Sequence, residues 1–78
     1  MRFNNATQRI FSDTIRPIVL VWETNDRANP WSAQARLVRN DGTKKVVLRF
    51  GQVSAARKKE AKDMAAQSAF EWLRTQYP

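Results

Sequence analysis

Two stretches of alternating polarity, a turn between them and a long run of helix formers predict an α+β fold of order α-β-β-β-α. Its two helices are expected to pack on one face of a three-stranded antiparallel sheet. Residues 31–38 and 44–50 alternate apolar and polar with the period of two that a half-covered strand shows. Between them Asn40-Asp41-Gly42 tolerates positive φ, a strong local signal for a hairpin. Residues 55–75 carry alanines three and four apart among good helix formers. A chain of 78 residues buries only roughly 60% of its unfolded surface and holds one core. A single domain over residues 1–78 is therefore expected, with its core at about 6–75.

The first helix is predicted over Thr7 to Ile15, where Ile10, Phe11, Thr14 and Ile15 fall three and four apart, with Asn4 or Asn5 as N-cap and Pro17 as the stop. Ile18-Val19-Leu20-Val21-Trp22-Glu23 is β-branched and aromatic and reads as strand one. The polar segment Thr24 to Pro30 is a loop longer than a tight hairpin needs. In strand two, Trp31, Ala33, Ala35 and Leu37 share one face and Ser32, Gln34, Arg36 and Val38 the other. Strand three is expected from Lys44 to Phe50, with Val46, Leu48 and Phe50 inward and Lys45, Val47 and Arg49 outward. Gly51 to Ser54 breaks it, Ser54 caps the next turn, and Ala55 to about Thr75 forms the long helix. Its stripe of Ala61, Ala65, Ala69 and Leu73 lets the axis lie close to a sheet.

Fourteen Lys and Arg against seven Asp and Glu leave a net charge of +7. The excess gathers toward the C-terminal half: six basic to four acidic residues up to Thr43, eight to three from Lys44 onward. Self-repulsion on this scale points to a polyanionic partner, nucleic acid or an anionic membrane surface. With no cysteine and no histidine, disulfides, thiol nucleophiles, the usual zinc sites and imidazole-based triads are all excluded. Asp13, Glu23, Asp26 and Asp41 lie on four different elements without ligand spacing, so no metal site is expected. The chain is expected to be non-enzymatic and to need no cofactor. The longest uncharged apolar stretch, Pro17 to Trp22, falls far short of the roughly 20 residues of a membrane helix. Arg2, Arg9 and Arg16 have the look of a transit peptide, but the segment runs straight into a strand pattern. The expected location is intracellular, cytoplasmic or nuclear, with the mitochondrion left open.

From Lys58 to Leu73 the chain reads KKEAKDMAAQSAFEWL. This run resembles the last helix of the double-stranded RNA-binding domain family, whose pattern there is K-K-x-A-K-x-x-A-A-x-x-A-L-x-x-L, with Phe70 in place of the usual leucine. The preceding β-meander fits the same α-β-β-β-α order. The resemblance implies a module that reads the shape of an A-form duplex through phosphates and ribose hydroxyls, because the base edges are hidden in a deep, narrow groove. It assigns Lys58, Lys59 and Lys62, with Arg57 beside them, to the phosphates flanking the major groove. Gln8 on helix 1 is the nearest candidate for one minor groove. Arg27, Asn29 and Trp31 stand in the loop that would enter the next, where the family usually carries G-P-x-H and this chain has Arg27-Ala28-Asn29-Pro30-Trp31.

Other departures lie around the core and the last helix. The connection before strand one is short, Val53 and Ala55 replace glycines, Arg57 replaces a serine, and Ala35 stands where the family tends to place Phe. Trp22 or Trp31 is expected to restore the missing core volume, and Trp22 and Trp72 are expected to pack inside. Two alternatives accompany RNA binding. One is a degenerate member of the family acting as a protein-interaction or dimerisation module through an exposed sheet face or edge. The other is a basic protein binding nucleic acid through charge alone. On the sheet face carrying Arg36 and Arg49, which the family does not use for RNA, a protein partner is the only special use expected.

Overall fold

A computed structural model describes residues 2–78 of the chain. In order the elements are α1 (Arg2–Phe11), β1 (Ile15–Glu23), β2 (Trp31–Arg39), β3 (Val46–Arg49), β4 (Val53–Ala55) and α2 (Lys58–Gln76). The α-β-β-β-α order holds, with the third strand split in two. β1 pairs antiparallel along all of β2, from Ile15 opposite Arg39 to Glu23 opposite Trp31. The other edge of β2 is shared: β3 takes its second half and β4 its first. Across the break the Phe50 amide donates to the Ala35 carbonyl at 3.0 Å, and Gln34 Nε2 donates to the Phe50 carbonyl at 3.0 Å. Those two bonds keep the interrupted strand in line.

Several boundaries differ from the sequence reading, each for a tertiary reason. α1 lies earlier than Thr7–Ile15, because Phe3, Ala6, Thr7 and Ile10 form the stripe that meets the core. Asn4 and Asn5 therefore sit inside it rather than at its cap. The helix ends when Ser12 enters the left-handed region (φ 55°) and its amide bonds the Gln8 carbonyl at 2.8 Å. Pro17 is not the stop but a residue of β1, which tolerates it because an edge strand has one side free of ladder bonds. β3 begins at Val46 rather than Lys44, since Lys44 also takes a positive φ of 53° at the end of the hairpin loop. A bulge there sets Val46 opposite Val38, so Val46 leaves the inner face on which it was expected. Ser54 does not cap α2: it pairs with Ser32 in β4, their hydroxyls 2.8 Å apart. Ala55 pairs with Trp31, and the helix starts three residues later than Ala55.

Both helices cover one face of the sheet. Its centre is made of small residues, Ala33 and Ala35 on β2, against Ala61, Ala65 and Ala69 of α2, all fully buried. Close approach of helix to sheet follows from those missing side-chain volumes. The volume is recovered at the margins by Phe3, Leu37, Phe50 and Leu73, with Phe3 edge-on to Phe50 at 6.0 Å. Trp22 does not fill this core: its register partner is Ser32, on the uncovered face. Trp31 packs only at the core's edge. Trp72 keeps 38% of its surface exposed while stacking edge-on against Phe50 at 5.5 Å. Packing also begins before residue 6, with Phe3 at 1% exposure, and reaches Tyr77, whose ring meets Phe11 at 5.5 Å.

Candidate nucleic-acid interface

α2 enters through Arg57, an extended residue (φ −124°, ψ 147°) whose side chain makes no capping bond. The first intrahelical bond runs from the Ala61 amide to the Arg57 carbonyl at 3.0 Å. The amides before Ala61 therefore have no partner within the helix, as at every helix start. Ser, Thr, Asp or Asn usually answers those donors. Here the sequence puts Arg57, Lys58 and Lys59 instead, which adds cations to the positive end of the dipole. At 3.6 residues per turn Lys58, Lys59 and Lys62 fall within an arc of about 100°. The same arc carries the buried Ala66, Ala69 and Leu73 farther along the helix, so the three lysines are exposed because they stand on its first turns.

Glu60 and Asp63 are close in sequence but do not neutralise the cluster. Among the described residues the ion pairs are Arg39 with Asp41 at 2.9 Å and Arg74 with Glu71, both elsewhere. One cluster cation has a different neighbour: Lys58 Nζ lies over the Trp31 ring, 5.7 Å from its centroid. Trp31 is half-buried and opens β2, so the end of the β1–β2 loop sits beside the start of α2. Nothing in the sequence announces a pairing across 27 positions. Only the ladder, which sets Trp31 opposite Ala55, brings it about.

The loop itself is ordered by its own polar groups. Asp26 Oδ1 accepts from the amides of Ala28 (2.9 Å) and Asn29 (3.2 Å), the Thr24 hydroxyl accepts from the Asp26 amide (3.3 Å), and the Thr24 amide donates to the Pro30 carbonyl. Asp26 is thus occupied with backbone, and Arg27 and Asn29 project from an exposed turn. Gln8 is placed apart from these residues. It is exposed on α1 and lines a hollow with Asn4, Asp13 and Asn40. Asn40 follows the last residue of β2 and Trp31 is its first, so at about 3.3 Å per residue those two ends of the strand lie roughly 30 Å apart. Lys58, Lys59, Lys62, Arg57, Trp31, Arg27 and Asn29 thus gather at one end of the sheet and Gln8 lies at the other.

Among the described residues no three carboxylates come together as a metal site would require. Among the same residues no helix is long and apolar enough to cross a membrane. Compared with protein-family models and with curated proteins, the chain matches none.

Proposed function

We propose that this chain is a non-enzymatic module that binds double-stranded RNA by shape and phosphate contacts, probing the duplex with the start of α2, the β1–β2 loop and α1. The observation that carries the reading is the exposed, unneutralised cluster of Lys58, Lys59 and Lys62 at a helix start with free amides. Cations at that position repel the helix dipole, and an anion there relieves the repulsion while accepting from the amides. The length of β2, roughly 30 Å from Trp31 beside the lysine end to Asn40 beside Gln8, supports the same reading. A duplex reader must touch successive grooves rather than one pocket. Such a ligand would place the chain inside the cell, in cytoplasm or nucleus.

The test is the salt dependence of binding to an RNA duplex, with an equal DNA duplex as competitor. Replacing Lys58, Lys59 and Lys62 together by alanine should lower the slope of log K against log salt by roughly 0.7–0.9 per lost phosphate contact. Wild-type protein should prefer RNA, because the 2′-hydroxyl separates the two duplexes. An unchanged slope rejects the phosphate role, and equal preference for the duplexes points to attraction by charge alone.

A further inference from the structure

The sheet face turned away from the helices is apolar where a solvated face should be polar. Register sets Arg16, Ile18, Leu20 and Trp22 of β1 on that face, beside Val38, Arg36, Gln34 and Ser32 of β2. β1 also points Pro17, Val19 and Val21 inward, so it is apolar on both sides, the pattern of a strand covered on both faces. Yet Leu20 is 39% exposed, and Ile18, Leu20, Val38 and Val46 floor an open hollow of about 410 Å³.

Charge on this face has one sign. Arg36 stands directly opposite Arg49, with Ile18 on its other side. Like charges opposed across a ladder are destabilising. Neither arginine forms an ion pair among the described residues, and no acid lies in the outward register positions of β1 and β2. Arg36 Nε is instead held by Gln34 Oε1 at 2.9 Å. Arg16 and Lys44 complete a basic rim around the apolar floor.

We propose that this uncovered sheet face docks an acidic amphipathic helix of a partner protein, with its apolar stripe on Ile18, Leu20 and Val46 and its carboxylates against Arg36 and Arg49. A helix is the natural second cover for a sheet already covered by helices on its other side. A second copy of this chain is the wrong occupant, because two such faces would oppose arginine to arginine. Single-stranded RNA fits poorly too: a stacking platform needs aromatic faces, and here Trp22 stands alone among aliphatic side chains. The docking face is separate from the lysine end of α2 and does not depend on RNA binding.

The decisive measurement is an NMR titration of the isotope-labelled chain with a synthetic helix of about 18 residues, five turns, carrying leucines at i, i+3, i+4 and i+7 flanked by glutamates. Saturable shifts should map to the outward residues of β1 and β2. Arg36→Glu with Arg49→Glu, or Leu20→Lys, should weaken binding by about tenfold or more, whereas alanine at Lys58, Lys59 and Lys62 should leave it unchanged. A peptide with lysines in place of the glutamates should not bind the wild-type chain, a control that needs no protein variant to fold. The proposal is overturned if the lysine peptide or a scrambled peptide binds equally well, if shifts fall on the start of α2, if charge reversal has no effect, or if oligouridine takes the sheet face in preference.

Discussion

Ser12 holds a left-handed conformation, φ 55°, at the residue that ends α1. A glycine would adopt it without the steric penalty of a Cβ, and helices often end on one for that reason. Ser12→Gly should therefore stabilise the fold by about 0.5–1 kcal/mol, the left-handed penalty of roughly 1–2 kcal/mol less the entropy cost of glycine, read as a higher urea midpoint at unchanged slope. A lower midpoint would mean that the serine side chain contributes something the backbone argument omits. Asp41 is a second residue-scale case. The Thr43 hydroxyl (2.6 Å), the Thr43 amide (3.1 Å) and Arg39 hold its carboxyl below the ordinary carboxylate value. A depressed folded-state value means that its contribution to stability is present above the unfolded value and fades as pH falls through the folded one. Thr43→Ala should bring the Asp41 titration back up toward ordinary, as followed by carboxyl NMR shifts. No upward movement would show that Arg39 and the backbone suffice.

At the scale of elements, the β1–β2 loop gains order from Asp26, whose carboxylate gathers two backbone amides. A preordered loop loses less entropy on binding. On the RNA reading, Asp26→Ala should lower duplex affinity several-fold, about 0.5–1.5 kcal/mol, in a protein that stays folded, measurable by fluorescence anisotropy. Unchanged affinity would remove the loop from the interface. The element boundaries show where local preference yields. Ala55 and Ala56 are good helix formers, but Ala55 is claimed by the ladder to Trp31, so α2 begins only at Lys58. Lys58 is consequently a first-turn residue, and this delay carries the lysines to the helix end rather than one turn inside it.

For the whole molecule, one sheet and one layer of helices make a slab 39 × 28 × 17 Å. Total stability for a chain of this length is about 4–12 kcal/mol. Phe3 is 1% exposed and joins α1 to Phe50 and the sheet. Phe3→Ala should cost about 3–5 kcal/mol, a large share of that total, and leave much of the protein unfolded in mild urea. Circular dichroism would show it. A loss below 1 kcal/mol would mean that α1 is packed far less tightly than its burial implies. The net charge of +7 acts at this scale too, since its self-repulsion would be relieved by a polyanionic partner.

Much of this was legible in the residues alone. Alternation in β2, the Asn40-Asp41-Gly42 turn and the alanine stripe of α2 are local patterns, and each element they imply is present. The lysine triplet is equally local, because residues three and four apart on a helix share a side whatever the helix packs against. Other features depended on partners distant in sequence. Which residues supply the missing core volume was decided by Phe3 and Phe50, not Trp22, because register turned Trp22 to the uncovered face. The cation over Trp31, the opposed pair Arg36 and Arg49, and the absence, among the described residues, of ion pairs at Glu60 and Asp63 likewise arise from pairing and rotamers. Periodicity specifies which side a residue takes relative to its neighbours. Only the ladder, in which a slip of one residue reverses every side chain, decides what stands on that side with it.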